Sequence, residues 1–201
     1  VTGEGGAVIT NKKKYINIIK TLALHGLTKN AWTRFSDKGY SHYKVVMPGF
    51  KYNMMDIQAA IGIHQLNRVD KNWKIREKFW KFYENSFKDM PFINLSPIFP
   101  NIRHGYHLYI ILLDLNKIKI SRNIFLQEMT KLKIGVGVHY TALHLHPYFK
   151  KKYGYKIGDL KNTEFISKRT VTLPLSPKLK NSDLLNVVRA VKKIIKKYTL
   201  T

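Results

Sequence analysis

Hydrophobic and polar positions change rhythm along this chain, and those changes predict its elements. Between residues 15 and 24, Ile16, Ile18, Ile19 and Leu22 recur at helical spacing, and His25-Gly26 ends the run. From Leu27 to Val46 the sequence is irregular and aromatic. Pro48-Gly49 then marks a turn, and one long helical stretch is predicted from about Met54 to Phe87. Its first half carries Ala59, Gly62, Ile63, Leu66 and Val69 on one side, with small residues that admit a close backbone neighbour. Its second half, NWKIREKFWKFYENSF, mixes aromatic and charged residues and reads as an amphipathic helix crossing between two bodies.

The rhythm then shortens. PFINLSPIFPNIRHG is a proline-punctuated connector that places a domain boundary near residues 90/91. YHLYIILLD is apolar on both alternations and predicts a strand covered on both faces. Ser121 opens a helix over Asn123–Leu132, Gly135-Val136-Gly137-Val138 starts a second strand, and VTLPLSP offers a short third one. Ser182 is the predicted cap of the last helix, where Leu184, Leu185, Val188, Val191 and Ile195 share a face. Its closing lysines suit the negative end of the helix dipole. Residues 91–201 therefore read as a small α/β unit, whereas residues 1–90 hold too few strands for a domain of their own.

The opening VTGEGGAVIT is a glycine turn followed by an expected strand, Ala7–Thr10. Such a turn ordinarily follows a strand or a functional loop. The expectation is that the chain is the downstream piece of a longer protein.

Composition adds bounds. The chain has 201 residues, of which 44% are hydrophobic, enough for a real core. No apolar run approaches the roughly 18–20 residues of a membrane helix. The absence of cysteine removes disulfide frameworks and thiolate metal sites. Lys and Arg number 36 against 12 Asp and Glu, a formal charge of +24. That balance raises a polyanion-binding module as a reading from another class. The lysines fall in short groups, such as Lys12-Lys13-Lys14 and Lys150-Lys151-Lys152, spread along polar faces, and no nucleic-acid motif accompanies them. Nucleic acid is not an expected partner.

Four segments are unusual for packing alone: the glycine turn, LHGLTKNAW, PGFKYNMMDIQAAIG and GVGVHYTALHLHPYF. In the third, Lys51, Tyr52 and Asn53 sit between a turn and a helix start, where side-chain donors and free N–H groups together make an anion site. The alternative is a loop lysine with Asn53 capping the helix. In the fourth, His139, His144 and His146 have no Asp or Glu beside them and match no common zinc spacing. A polar loop aiming His and Tyr at a ligand is the preferred reading, with core or surface histidines as the alternative.

Taken in order, TGEGGAVIT, HGLTKNAW, PGFKYNMMDIQAAIGIHQL, ISR, IGVGVHYTALHLHPYF, NTE at Asn162–Glu164 and LPLSP at Leu173–Pro177 resemble the DegT/DnrJ/EryC1/StrS family of sugar aminotransferases. The pairing of HGLT…AW with GFKYN is most similar to the branch that makes 4-amino-4-deoxy-arabinose from UDP-4-keto-pentoses. The resemblance implies an α/β chain of the PLP-dependent transferase fold type I. It would comprise the C-terminal part of the large domain, with its long connecting helix, over residues 1–90. A small α/β domain with a short antiparallel sheet would occupy residues 91–201.

It also implies pyridoxal phosphate (PLP) as cofactor, held by a lysine that lies upstream of Val1, so no catalytic residue is assigned within the chain. An amino acid, commonly glutamate, would give its nitrogen to a 4-keto sugar nucleotide, for polysaccharide or lipid modification. Family dehydratases with histidine in place of that lysine are an alternative. Asn53 occupies the position that reaches the PLP phosphate of the neighbouring subunit, which implies a homodimer with shared sites. Lys51 and Tyr52 would border the same site. His139 and Tyr140, together with His144, fall in the loop that meets the sugar nucleotide, and His25 is a wall residue. No metal and no membrane span are implied, and the expected compartment is the cytoplasm.

Overall fold

The computed structural model describes residues 2–27, 35–36, 39–40, 43–95 and 97–199. Thr28 to Trp32, the latter part of the HGLTKNAW segment, lie outside the described residues. The chain forms two compact units, residues 1–69 and 70–201.

The first unit contains helix α1 (Lys13–Ala23), the antiparallel pair β1 (Phe35–Ser36) and β2 (Gly39–Tyr40), and helix α2 (Asp56–Asn67). Helix α1 ends where expected: His25 and Gly26 both take positive φ, 54° and 71°, which a right-handed helix cannot continue. Residues 7–10 join no ladder among the described residues, and Val8 and Ile9 are exposed, so the expected strand is not formed there.

The predicted long helix is two helices. Arg68 leaves helical geometry at φ −109° and ψ 7°, and α3 (Val69–Phe87) restarts beside it. Asp70 in the first turn of α3 favours a new N-terminus at that point. The units divide there as well, earlier than the boundary expected near residue 90. The reason is the aromatic stripe of α3: Phe79, Trp80, Tyr83 and Phe87 are all buried in the second unit.

The second unit is built on a three-stranded antiparallel sheet in the order β3 (Ile93–Leu95), β4 (Tyr109–Leu113), β5 (Thr170–Leu173). Strand β3 lies inside the proline-rich connector, where no strand was expected. In β4, Tyr109, Ile111 and Leu113 are fully buried while Ile110 and Leu112 are only partly so, which makes one face core and the other half-covered. Trp80 and Tyr83 of α3 meet the Tyr109 ring at 4.8 and 4.9 Å between centroids.

Helices α4 (Arg122–Lys131), α5 (Pro147–Tyr153), α6 (Lys161–Arg169) and α7 (Asn181–Tyr198) complete the unit. Ser121 caps α4 as expected, its hydroxyl accepting from the Ile124 N–H. The cap of α7 differs: Lys180 occupies it, and its N–H donates to the Asp183 carboxylate at 2.8 Å. The helix starts two residues earlier than a Ser182 cap would set it, and Asp183 at its third position satisfies the N–H of the cap residue. Leu184, Val188, Val191 and Ile195 are buried on the inner face of α7, joined by Val187, Ala190 and Ile194. Leu185 stays exposed. Glu128 of α4 receives Lys197 of α7 at 3.0 Å and Lys131 at 2.6 Å, and these two cations hold its carboxyl down to about 2.

Candidate active site

In the first unit, three of the unusual segments meet. The chain leaving α1 lies against residues 45–52: the Phe50 N–H donates to the Leu22 carbonyl, Tyr52 N–H to Ala23, and His25 N–H to Phe50. Bridges at Leu24–Lys51 and Leu27–Val45 extend the pairing. Two glycines make the approach possible. A Cβ on Gly26 would run into the Met47 carbonyl, and one on Gly49 would run into the Gly26 nitrogen. Lys51 and Tyr52 are thereby placed by backbone bonds while their side chains stay exposed. Tyr52 stacks on Phe50, centroids 4.9 Å apart and planes within 8°.

The glycine turn closes on the same region. Gln58, in the first turn of α2, accepts from the Met55 N–H and donates through Nε2 to the Glu4 carbonyl at 3.1 Å. A shallow cleft of about 410 Å³ is lined by Thr2, Gly3, Glu4, Gly5, Gly6, Ala7 and Met54. Asn53 stands next to it. Met55, not Asn53, is the cap residue of α2, and the Asn53 Oδ1 is buried without a hydrogen-bond partner. The capping alternative for Asn53 is therefore not what the structure forms. The unmet Oδ1 is an acceptor and calls for an N–H or O–H donor, whereas the Nδ2 of the same amide is the end able to donate to a phosphate oxygen. His25 is exposed at the exit of α1, held by its own backbone bond to Phe50.

The second unit carries the histidine loop. Residues 136–138 do not form a full strand; Gly137 alone bridges to Thr172 of β5 through two backbone bonds of 3.0 and 2.8 Å. The His139 Nδ1 lies 2.8 Å from the Thr172 hydroxyl. Tyr140 follows across a cis peptide, its ring 4.7 Å from that of His139 and largely exposed. His144, by contrast, is in the interior, 5% exposed, with Nε2 facing the Glu164 carboxylate at 3.1 Å. Glu164 also receives the Gly158 N–H at 2.7 Å. That backbone bond, then His144, hold its carboxyl below the ordinary range. The structure thus separates the two histidines: His139 and Tyr140 sit on the outer part of the loop, and His144 braces it from within.

The sequence reading missed several contributors. Thr172 lies in the VTLPLSP stretch, read only as a strand. Ser167 receives the Ala142 N–H at 2.8 Å, while its carbonyl accepts from Arg122 of the ISR segment at 3.2 Å. The alternating Thr-Val-Thr of β5 was the available signal for Thr172, since the period of two puts both threonine hydroxyls on one face of the sheet.

Residues 1–192 match the description "DegT/DnrJ/EryC1/StrS aminotransferase family". The spore coat polysaccharide biosynthesis protein SpsC of Bacillus subtilis is 39% identical over 97% of this chain and 50% of its own length. Among solved structures, PseC of Helicobacter pylori, an aminotransferase involved in the biosynthesis of pseudoaminic acid, superposes with a TM-score of 0.83 at 25% identity, over 98% of this chain and 50% of that one. Spr1654 of Streptococcus pneumoniae in its PMP-form gives 0.82 at 26% identity, over 96% and 47%. The chain spans about half the length of the curated relatives it matches. By the match over nearly its whole extent, this chain belongs to the DegT/DnrJ/EryC1/StrS aminotransferase family.

Proposed function

We propose that this chain serves in a PLP-dependent aminotransferase that moves an amino group from an amino acid, glutamate by preference, onto a 4-keto sugar carried by a nucleotide, for cell-surface polysaccharide or lipid modification. The observation that carries the reading is the convergence of the glycine turn, the Lys51–Asn53 segment and the start of α2, with the Asn53 amide at this junction not used as the helix cap. PLP, when bound, supplies the electron sink that lets nitrogen leave one carbon and join another. The residues of this chain bind and orient.

Asn53 donates to a phosphate oxygen of the cofactor held by a second copy of the chain, so that each site needs two subunits. Helix α2 supports that arrangement, since Ile57, Ile63 and Leu66, spread around the helix, are all more than half exposed and offer apolar surface to a like copy. Lys51 supplies a cation to the diphosphate, and Tyr52, stiffened by its stack on Phe50, presents a ring to the sugar or base. His139 and Tyr140 contact the sugar nucleotide. His144 keeps their loop in place, and His25 contributes to the wall of the first-unit site. The covalent lysine is assigned to the segment before Val1, and none of the lysines here takes its role. The first unit belongs to the PLP-binding domain and the second is the small domain of a cytoplasmic enzyme. No helix among the described residues is long and apolar enough to cross a membrane.

The test uses the full-length protein with PLP, glutamate and a panel of UDP- and dTDP-4-keto sugars, with products weighed by mass spectrometry. An amino sugar nucleotide formed together with 2-oxoglutarate is the expected outcome. Loss of water from the sugar without gain of nitrogen would instead place the protein with the family's dehydratases, and no change in any sugar would overturn the proposal.

A further inference from the structure

We infer that Thr172 is a positioning residue for His139: its hydroxyl fixes which ring nitrogen of His139 faces the sugar-nucleotide site, an inference that rests on the reading of His139 given above. Four observations converge. The Thr172 hydroxyl and the His139 Nδ1 are 2.8 Å apart, and Thr172 is 6% exposed, so water competes little for that bond. Thr172 sits on β5, whose other three residues, Thr170, Val171 and Leu173, are also buried, which makes the hydroxyl a fixed point. The Gly137–Thr172 bridge ties the two chain segments together through a pair of backbone bonds only two residues before the histidine. Finally, a Cβ on Gly137 would come within 3.0 Å of the His139 Cε1, so the glycine is what lets the imidazole fold back toward β5.

The consequence is chemical. A neutral imidazole has one donor nitrogen and one acceptor, and the partner at Nδ1 selects which is which. With Nδ1 occupied by Thr172, Nε2 is the nitrogen left to meet a ligand. When the threonine hydroxyl donates to Nδ1, Nε2 carries the proton and can donate to a diphosphate or sugar oxygen. That tautomer suits an anionic nucleotide, and it is the one assigned here. Removing the hydroxyl frees the ring to rotate and to populate both tautomers.

The experiment compares the full-length, PLP-loaded protein with Thr172→Val, Thr172→Ser and, as a smaller replacement that the strand accommodates should valine disturb it, Thr172→Ala. Proton–nitrogen correlation spectra of histidine-labelled protein report the His139 tautomer, and UDP and dTDP serve as binding probes. The expected result is one Nε2–H tautomer in the parent and in Thr172→Ser, and a mixture of tautomers in Thr172→Val and Thr172→Ala. Binding of the better probe should weaken about tenfold in the latter two and stay within about twofold in Thr172→Ser. An unchanged His139 spectrum in both hydroxyl-free variants overturns the inference. A changed spectrum with unchanged probe binding supports Thr172 as the group that sets the tautomer and instead removes His139 from the nucleotide site.

Discussion

His144 and Glu164 are paired inside the second unit, with Nε2 and Oε1 3.1 Å apart and the side chains only 4% and 7% exposed. The carboxylate is an acceptor, so the Nε2 of His144 carries the hydrogen and donates, while the Gly158 N–H supplies a second donor. This arrangement ties the histidine loop to α6 from below. It explains why one histidine of the motif is buried while its neighbour on the loop is placed outward.

A pH dependence follows from that pair. The folded-state carboxyl of Glu164 lies below its ordinary value of 4.5. Its contribution to stability is therefore complete above pH 4.5 and is lost as pH falls through the lower, folded value. Glu164→Gln should lower the melting temperature at neutral pH, and the gap between variant and parent should narrow in acid. Melting curves from neutral pH down through the carboxylate range check this; a gap that widens in acid would contradict the assignment.

The centre of the sheet sets the stability of the second unit. Ile111 is fully buried in the middle of β4, between Leu95 of β3 and Val171 of β5 in register. Ile111→Ala should cost about 2–5 kcal/mol, from lost burial and the cavity left behind. Urea unfolding of the second-unit transition measures it.

The crossing of Gly26 and Gly49 should tolerate no side chain. In Gly49→Ala the new Cβ would lie 2.6 Å from the His25 carbonyl carbon, backbone that cannot step aside. Overpacking of this kind costs about 1–3 kcal/mol, and here it also displaces the strand-like segment that carries Lys51 and Tyr52. We expect lower denaturation midpoints and weaker retention of PLP by the full-length protein, read by equilibrium dialysis.

Asn53 gives a direct test of the cofactor contact. Asn53→Ala should weaken PLP binding about tenfold, the loss of one hydrogen bond to a charged group. Asn53→Asp should weaken it more, because a carboxylate then faces a phosphate. Titration of the full-length protein with PLP checks both, and equal affinities across the three proteins would remove Asn53 from the phosphate site.

Much of the local structure was legible in the sequence because it depends on neighbours along the chain. The end of α1 at His25-Gly26, the Ser121 cap of α4, the inner face of α7 and the succession of motifs that marks the family all rest on residues a few positions apart. The break at Arg68 was not legible, since the helical pattern runs through it and only the burial of the α3 aromatics in the second unit shows where the bodies divide. Strand β3 was hidden for a related reason: a three-residue edge strand is defined by its partner, β4, and proline-rich surroundings argue against it.

For the candidate site the same division holds. Residue types and order identified Lys51, Tyr52, Asn53, His139, Tyr140, His144 and His25 as the residues to examine, because chemistry is carried by side-chain identity. Only the tertiary structure decided that Asn53 leaves an amide end unmet and does not cap a helix, that His144 is a buried brace, and that Thr172, 33 positions away, holds His139. Those outcomes depend on contacts between distant segments and on which polar atoms lose their water, and neither is encoded in local periodicity.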